Sequence, residues 1–241
     1  MRVILITGGN GGLGRAMARD FLESDPESRV WLGVRGRRAD ADALVVMYPG
    51  RCEAISLEVT HRDDWNRAVQ DITDRSGPVD VLVNNAGGHE DGLLATLPPE
   101  SWSRVLSSNL DSVFHGCQAV LPSMISRRSG RIINIASLSA LLAPAGQSNY
   151  AAAKAGVVAL TQSLAKEVAR IGITVNAVCP GYIETPALDG LPPERRAAAM
   201  AQVPMRRFGK PEEVASAVTF LAGPSAGYIT GAVLKVDGGI L

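Results

Sequence analysis

Tyr150 and Lys154 stand four residues apart in the run Ser148-Asn149-Tyr150-Ala151-Ala152-Ala153-Lys154. The Ala and Leu residues around them favour a helix. On a helix this spacing sets a phenol and an ammonium on one face, one turn apart. A free tyrosine titrates near pH ~10, too high for ready proton exchange at neutral pH. A fixed positive charge beside it favours the phenolate and lowers that value. The pair is a candidate general acid/base. Tyr-x-x-x-Lys also arises by chance in helices, so the elements that position it must decide.

The chain opens with a continuous apolar run, Val3 to Ile6, as a strand buried on both faces of a parallel sheet requires. Thr7-Gly8-Gly9-Asn10-Gly11-Gly12-Leu13-Gly14 follows, and then a helix expected over 15–23. Strand, glycine turn and helix together aim backbone N–H groups and a positive helix end at a phosphate. In that reading Gly8 allows the turn, Gly12 lets a pyrophosphate approach, and Gly14 lets helix and strand pack closely. A flexible loop is the plainer alternative. A second strand is expected over 29–34. About 20 residues past the glycines, a dinucleotide fold that takes NAD carries Asp or Glu for the ribose 2′-hydroxyl. Here Val34 holds that place, followed by Arg35, Gly36, Arg37 and Arg38. A carboxylate would repel a 2′-phosphate and a guanidinium would pair with it, so this end favours NADP(H) over NAD(H). Arg35 is the expected contact, and Arg15 could add charge; the alternative is a solvated basic turn.

The pattern repeats. Helices are expected over 39–47 and 63–75, with strands over 52–57 and 79–83. Glu58-Val59-Thr60 ends the third strand, and Asn84-Asn85-Ala86-Gly87 ends the fourth. A long helix over 98–127 contains Asn109, where asparagine is mildly unfavourable. A fifth strand over 131–136 leads to Ser137. The Tyr150 helix extends to about residue 170, and a sixth strand covers 173–178. The loop 179–185 carries Pro180, Gly181, Ile183 and Thr185. A segment over 188–208, with Pro and Gly at both ends of a polar helix over 194–202, is a candidate lid or an ordinary surface helix. A helix over 211–221 and a last strand over 232–236 complete the chain. Alternating strands and helices predict one doubly wound Rossmann domain over 1–241, with a seven-stranded parallel sheet and helices on both faces. Ligands of such sheets bind beyond the carboxyl ends of the strands. The glycine turn, Arg35, Glu58 and the Asn84–Gly87 turn all fall on that edge.

Composition excludes other classes. Lys+Arg and Asp+Glu balance at 24 each, so no global field draws nucleic acid or anionic membrane. Cys52, Cys117 and Cys179 form no CxxC pair and read as core residues of a reduced compartment, neither a disulfide framework nor a metal site. No apolar run is long enough to span a bilayer. A cytoplasmic protein is expected.

Taken together, Thr7-Gly-x-x-x-Gly12-x-Gly14, Asn84-Asn-Ala-Gly87, Asn109, Ser137, Tyr150-x-x-x-Lys154 and Pro180-Gly181…Thr185 resemble the classical short-chain dehydrogenase/reductase family, in order and nearly end to end. The resemblance implies that Tyr150 protonates a carbonyl oxygen as hydride arrives from a nicotinamide. It implies that Lys154 lowers the tyrosine pKa and holds the nicotinamide ribose, that Ser137 positions the carbonyl, and that Asn109 holds a proton-relaying water. Cofactor contacts are implied at Gly8, Asn10, Gly12, Leu13, Gly14, Arg35, Glu58, Val59, Asn85, Ala86, Gly87, Tyr150, Lys154, Pro180, Gly181, Ile183 and Thr185. Within the family, Asn149–Gly156, Gly172–Asn176, Pro180–Thr185 and Tyr228–Gly231 are most similar to 3-oxoacyl-[acyl-carrier-protein] reductases. That likeness implies reduction of a 3-ketoacyl thioester in fatty-acid or polyketide-type biosynthesis. It further implies a homotetramer and an acyl carrier protein docked on Arg127, Arg128 and Arg170 beside the site mouth. Two places depart from the group: Ile171 stands where an arginine is usual, and Gly88-His89-Glu90 where a basic residue is common. They leave room for a specialised acyl chain. The alternatives are a dehydrogenase of another secondary alcohol, such as a sugar, steroid or small ketone, and a non-catalytic binding protein on the same fold.

Overall fold

The computed structural model describes residues 2–36, 38–189 and 192–241. Its centre is one parallel sheet in the order β3-β2-β1-β4-β5-β6-β7. The elements in chain order are β1 (Arg2–Thr7), α1 (Gly12–Ser24), β2 (Ser28–Val34), α2 (Ala39–Met47), β3 (Cys52–Ser56), α3 (Arg62–Ser76), β4 (Val81–Asn84), α4 (Pro99–Leu106), α5 (Ser112–Arg127) and β5 (Gly130–Ile135). They continue with α6 (Ser139–Leu142), α7 (Ser148–Val168), β6 (Ile173–Pro180), α8 (Pro186–Asp189), α9 (Pro193–Gln202), α10 (Pro211–Ala222) and β7 (Val233–Val236). This is the doubly wound sheet expected from the alternation.

The near-continuous apolar strands follow from burial on both faces, because successive side chains point to opposite sides. Ile4 and Ile6 of β1, with Val81 and Val83 of β4, pack into one core layer with Phe21 of α1 and Val214 of α10. Val3, Leu5 and Leu82 face the other layer, against Trp65 of α3, Val120 of α5 and Val157 of α7. All three cysteines are free and buried. Burial pushes the thiols of Cys52 and Cys117 up to about 12. Among the described residues no helix is long and apolar enough to cross a membrane, and no cluster of three His, Cys, Asp or Glu side chains is placed to hold a metal ion.

Several boundaries differ from the expectation. The helix after the glycine turn starts at Gly12, so two of the glycines lie in its first turn. Asn84 belongs to β4, and Cys179 and Pro180 belong to β6 rather than to the loop after it. The long helix is interrupted: residues 107–111 form a π turn between α4 and α5. Arg37 lies outside the described residues, as do Gly190 and Leu191 of the candidate lid. The described parts of that segment, α9 and the end of α8, contribute Ala199 and Leu188 to a small cluster with Phe208. The segment's two ends are joined by a bridge between Ile183 and Gly209, with Glu184 N donating to Gly209 O at 2.8 Å.

Candidate active site

The carboxyl edge of β1, β2, β3 and β4 opens into a cleft of about 860 Å³. Its lining includes Gly8, Asn10, Gly12, Leu13, Gly14, Arg35, Glu58, Val59, Asn85, Ala86, Gly87 and Thr185, twelve positions expected to hold a cofactor. The glycine turn is built by close approach. Gly8 has φ +67°, in the left-handed region, and a β-carbon there would lie 2.9 Å from Asn85 Nδ2. One on Gly14 would lie 2.5 Å from Gly8 O. At Gly12, by contrast, the nearest atoms to a β-carbon are 3.8 Å away, so its cleft side is open.

Asparagine side chains stitch this edge together. Asn10 Oδ1 accepts from the backbone N–H groups of Asp40 and Ala41, both at 3.1 Å, and so caps α2 from another loop. Asn85 Nδ2 donates to Thr7 O at 2.8 Å, while the N–H groups of Asn85 and Ala86 both donate to Thr7 Oγ1 at 2.9 Å. The Asn85 side chain and the N–H groups of Asn85 and Ala86 therefore join the end of β4 to β1. At the far end Arg35 is 82% exposed, and its Nη1 lies 3.6 Å from Glu58 Oε2. Glu58 Oε1 accepts from Thr60 N and Oγ1. Arg15 is paired with Asp40 at 3.4 Å.

Ser137, Tyr150 and Lys154 come together just past β5, on the same edge. Lys154 is buried, and Nζ donates to Ile135 O at 2.8 Å. Burial lowers its ammonium to about 8. Tyr150 is half-buried, and its phenol is raised by burial, with the hydroxyl of Ser137 pulling it down and the Asp91 carboxylate pushing it up. Nζ sits 5.6 Å from the centre of the Tyr150 ring and is held by a backbone carbonyl, so desolvation dominates.

Asn109 is fully buried in the π turn. Its Nδ2 donates to Gly88 O at 2.7 Å and Val105 O at 2.8 Å, and its Oδ1 accepts from no group among the described residues. Widening the turn takes Asn109 out of the regular ladder, which answers the low helix propensity of asparagine. Gly87 lies between Asn109 and Lys154: a β-carbon there would collide with Asn109 Oδ1 and stand 3.5 Å from Lys154 Nζ. On the β6 side, Gly181 N donates to Val236 O at 2.9 Å, and a β-carbon on Gly181 would be 2.9 Å from Asp237 Cα.

The wall also includes His89 and Glu90, singled out in the sequence only as a departure from the family pattern, and Arg104, Val105 and Ser108, which sequence reasoning missed. Val105 stands four residues before Asn109, so its helical phase was available as a signal; Ser108, one residue before, had no such mark. Arg104 meets Glu90 through two bonds, of 3.0 and 2.8 Å, and holds that carboxyl at about 2. No comparable signal marked this pair.

Arg127, Arg128 and Arg170 are not beside the mouth. Arg127 and Arg128 precede β5 and Arg170 precedes β6, and both strands begin at the amino edge. At ~3.3 Å per residue, β5 separates them from Ser137 by roughly 20 Å. Arg127 is bound to Asp80 at 2.5 Å, and Arg128 donates to Arg170 O at 3.3 Å.

The glycine turn, the open face at Gly12 and the unpaired acceptor of Asn109 suit a nicotinamide dinucleotide, and with half-buried Tyr150 beside buried Lys154 they define a Rossmann-fold oxidoreductase. A family model described as enoyl-(acyl carrier protein) reductase matches residues 8–241. The chain is 44% identical over 239 residues to the 3-oxoacyl-[acyl-carrier-protein] reductase FabG of Vibrio cholerae, covering 99% of this chain and 97% of that protein. It is 41% identical over 243 residues to the reductase of the same name from Thermotoga maritima, covering 100% and 98%. The chain belongs to the short-chain dehydrogenase/reductase family.

Proposed function

We propose that this protein, a single Rossmann domain acting in the cytoplasm, reduces the ketone of a 3-ketoacyl thioester on acyl carrier protein to the 3-hydroxyacyl thioester, with NADPH, in fatty-acid or polyketide-type biosynthesis. The observation that carries the reading is the meeting of Ser137, Tyr150 and buried Lys154 at the end of a dinucleotide cleft, in a chain whose full-length relatives bear that activity in their names. When bound, the nicotinamide supplies the hydride that reaches the carbonyl carbon. Gly8 to Gly14 would hold the pyrophosphate at the start of α1, Arg35 would pair with the 2′-phosphate, and Glu58 and Val59 would line the adenosine end. Asn85 to Gly87, Pro180, Gly181, Ile183 and Thr185 complete the cofactor contacts.

Ser137 and Tyr150 hold the carbonyl oxygen between two hydroxyls. As negative charge develops there, Tyr150 gives up its proton, and the C–O⁻ becomes C–OH. Burial keeps the phenol protonated until that charge appears, which suits an acid in the reducing direction. Lys154 steadies the resulting tyrosinate, and the Asn109 carbonyl oxygen, set against Gly87, would accept a hydrogen bond from the water that returns a proton to it.

Carrier docking on Arg127, Arg128 and Arg170 needs a neighbour, given the separation along β5. In a homotetramer the basic cluster of one subunit can serve the mouth of another. The deciding assay follows NADPH oxidation with acetoacetyl and crotonyl thioesters. Turnover of the ketone alone is expected. Turnover of the crotonyl thioester alone would replace this reading with enoyl reduction, the activity in the family model's description. A secondary-alcohol dehydrogenase would instead turn over simple alcohols with NAD.

A further inference from the structure

His89 lines the cofactor cleft and also touches the phenol that ends it. Its ring meets that of Tyr150 edge-on, with centroids 5.8 Å apart and planes at 63°. It is half exposed, and Nδ1 lies 2.9 Å from Asp91 Oδ1. A carboxylate only accepts, so in the neutral imidazole Nδ1 carries the proton and Nε2 is left as a bare acceptor. Nε2 bonds to nothing among the described residues.

The imidazole is held by a chain of bonds that reaches the candidate catalytic serine. Gln147 Nε2 donates to both oxygens of Asp91, at 3.2 and 3.1 Å. Gln147 Oε1 accepts from Ser139 Oγ at 2.8 Å, and Ser139 N donates to Ser137 Oγ at 3.1 Å. On the other side Glu90 is clamped by Arg104, and its carbonyl accepts from Asn149 Nδ2 at 3.0 Å. Each of residues 89–91 is thus tied to a different neighbour, and the acceptor beside the phenol is preorganised.

A 3-ketoacyl thioester on a pantetheine-type arm carries its first amide N–H six bonds beyond the reacting carbonyl, roughly 8 Å when extended. With its ring centroid 5.8 Å from that of Tyr150, the imidazole stands within that reach of the phenol. We propose that His89 is a specificity-determining residue: its imidazole accepts a hydrogen bond from that amide N–H and so selects thioesters with an amide-bearing arm over plain alkyl thioesters. The proposal rests on the ketoacyl reading above. The amide does not react, so the contact acts equally in ground and transition states and is read in KM rather than kcat.

The test compares acetoacetyl-N-acetylcysteamine, which has the amide, with S-ethyl acetothioacetate, which lacks it. The wild-type kcat/KM ratio of the two is expected to fall about five- to tenfold in H89F, through KM, as loss of one hydrogen bond implies. H89F keeps a ring edge against Tyr150; H89Q keeps an acceptor and is expected to retain the preference. A ratio in H89F equal to the wild-type ratio overturns the role of His89 and leaves ketone reduction standing. Absence of turnover of either thioester by the wild type overturns the ketoacyl reading, and this inference with it.

Discussion

Lys154 donates its ammonium to the carbonyl of Ile135 at 2.8 Å and lies 5.6 Å from the centre of the Tyr150 ring. The two residues share a helical face, yet the cation is committed to the end of β5 and the phenol to the Ser137 hydroxyl. Burial then acts on them in opposite senses, raising the acid and lowering the base.

The Lys154 shift makes a stability prediction with a definite sign. Its pKa falls from 10.5 to about 8 on folding, so the unfolded chain holds more protons between those values. Stability must therefore rise with pH across that window. Between pH 7 and 9.5 the wild type should gain about 2 kcal/mol relative to K154M in urea unfolding. A difference that stays flat with pH would refute the buried-ammonium account.

Tyr150→Phe removes the acidic proton and little volume. Reduction of an acetoacetyl thioester should drop about a hundredfold to ten-thousandfold, with nucleotide binding retained by fluorescence titration. Wild-type turnover in that variant would exclude Tyr150 as the acid.

Two glycines of the first turn should separate stability from binding. Gly14→Ala forces a β-carbon against Gly8 O and is expected to cost about 1–3 kcal/mol of stability. Gly12→Ala meets open space and should leave the melting temperature near the wild type's, while its methyl group weakens dinucleotide binding on the order of tenfold. Equal effects on both measurements would contradict the geometry.

Arg35 is exposed and only loosely paired with Glu58. Arg35→Ala should weaken NADPH binding about tenfold to a hundredfold and spare NADH, as loss of a charge-assisted contact predicts. Parallel losses for the two cofactors would show that Arg35 does not read the 2′-phosphate.

Arg128→Glu tests the carrier surface. It should raise KM for a carrier-bound ketoacyl substrate severalfold and leave the N-acetylcysteamine thioester unaffected, because the residue lies roughly 20 Å from Ser137. An equal change for both substrates would place its effect on the fold.

Much of this architecture was legible because most strands are short apolar runs that end in glycine or polar residues, and because the doubly wound pattern dictates which edge those ends share. The glycine turn, Arg35, Glu58 and the Asn84–Gly87 turn follow from that rule, whereas Val59 and Thr185 were implied by the family resemblance. The basic cluster was misplaced for want of the same rule: Arg127, Arg128 and Arg170 precede strands, and residues that precede parallel strands stand on the edge away from the ligand. The electrostatics of Tyr150 were less accessible. Spacing puts a cation on the phenol's face, but which carbonyl claims the cation depends on tertiary packing. His89 and Glu90 were noticed only as departures from a pattern. Glu90 is anchored by Arg104, 14 residues away, and His89 is held by Asp91, whose own anchor Gln147 is 56 residues further on, and neither separation follows a helical or strand period.

The π turn at residues 107–111 has a consequence for the whole segment from Ser101 to Met124. Ser101, Val105, Asn109, Val113 and Cys117 are all buried and recur every fourth residue. In an unbroken α-helix such a repeat precesses by about 40° at each step and would carry Cys117 far around the cylinder from Ser101. The wide turn underwinds the backbone midway and brings the repeat back into phase. One residue of slack lets a single helix face the cleft at one end and the sheet at the other, with Asn109 at the point where the phase is reset.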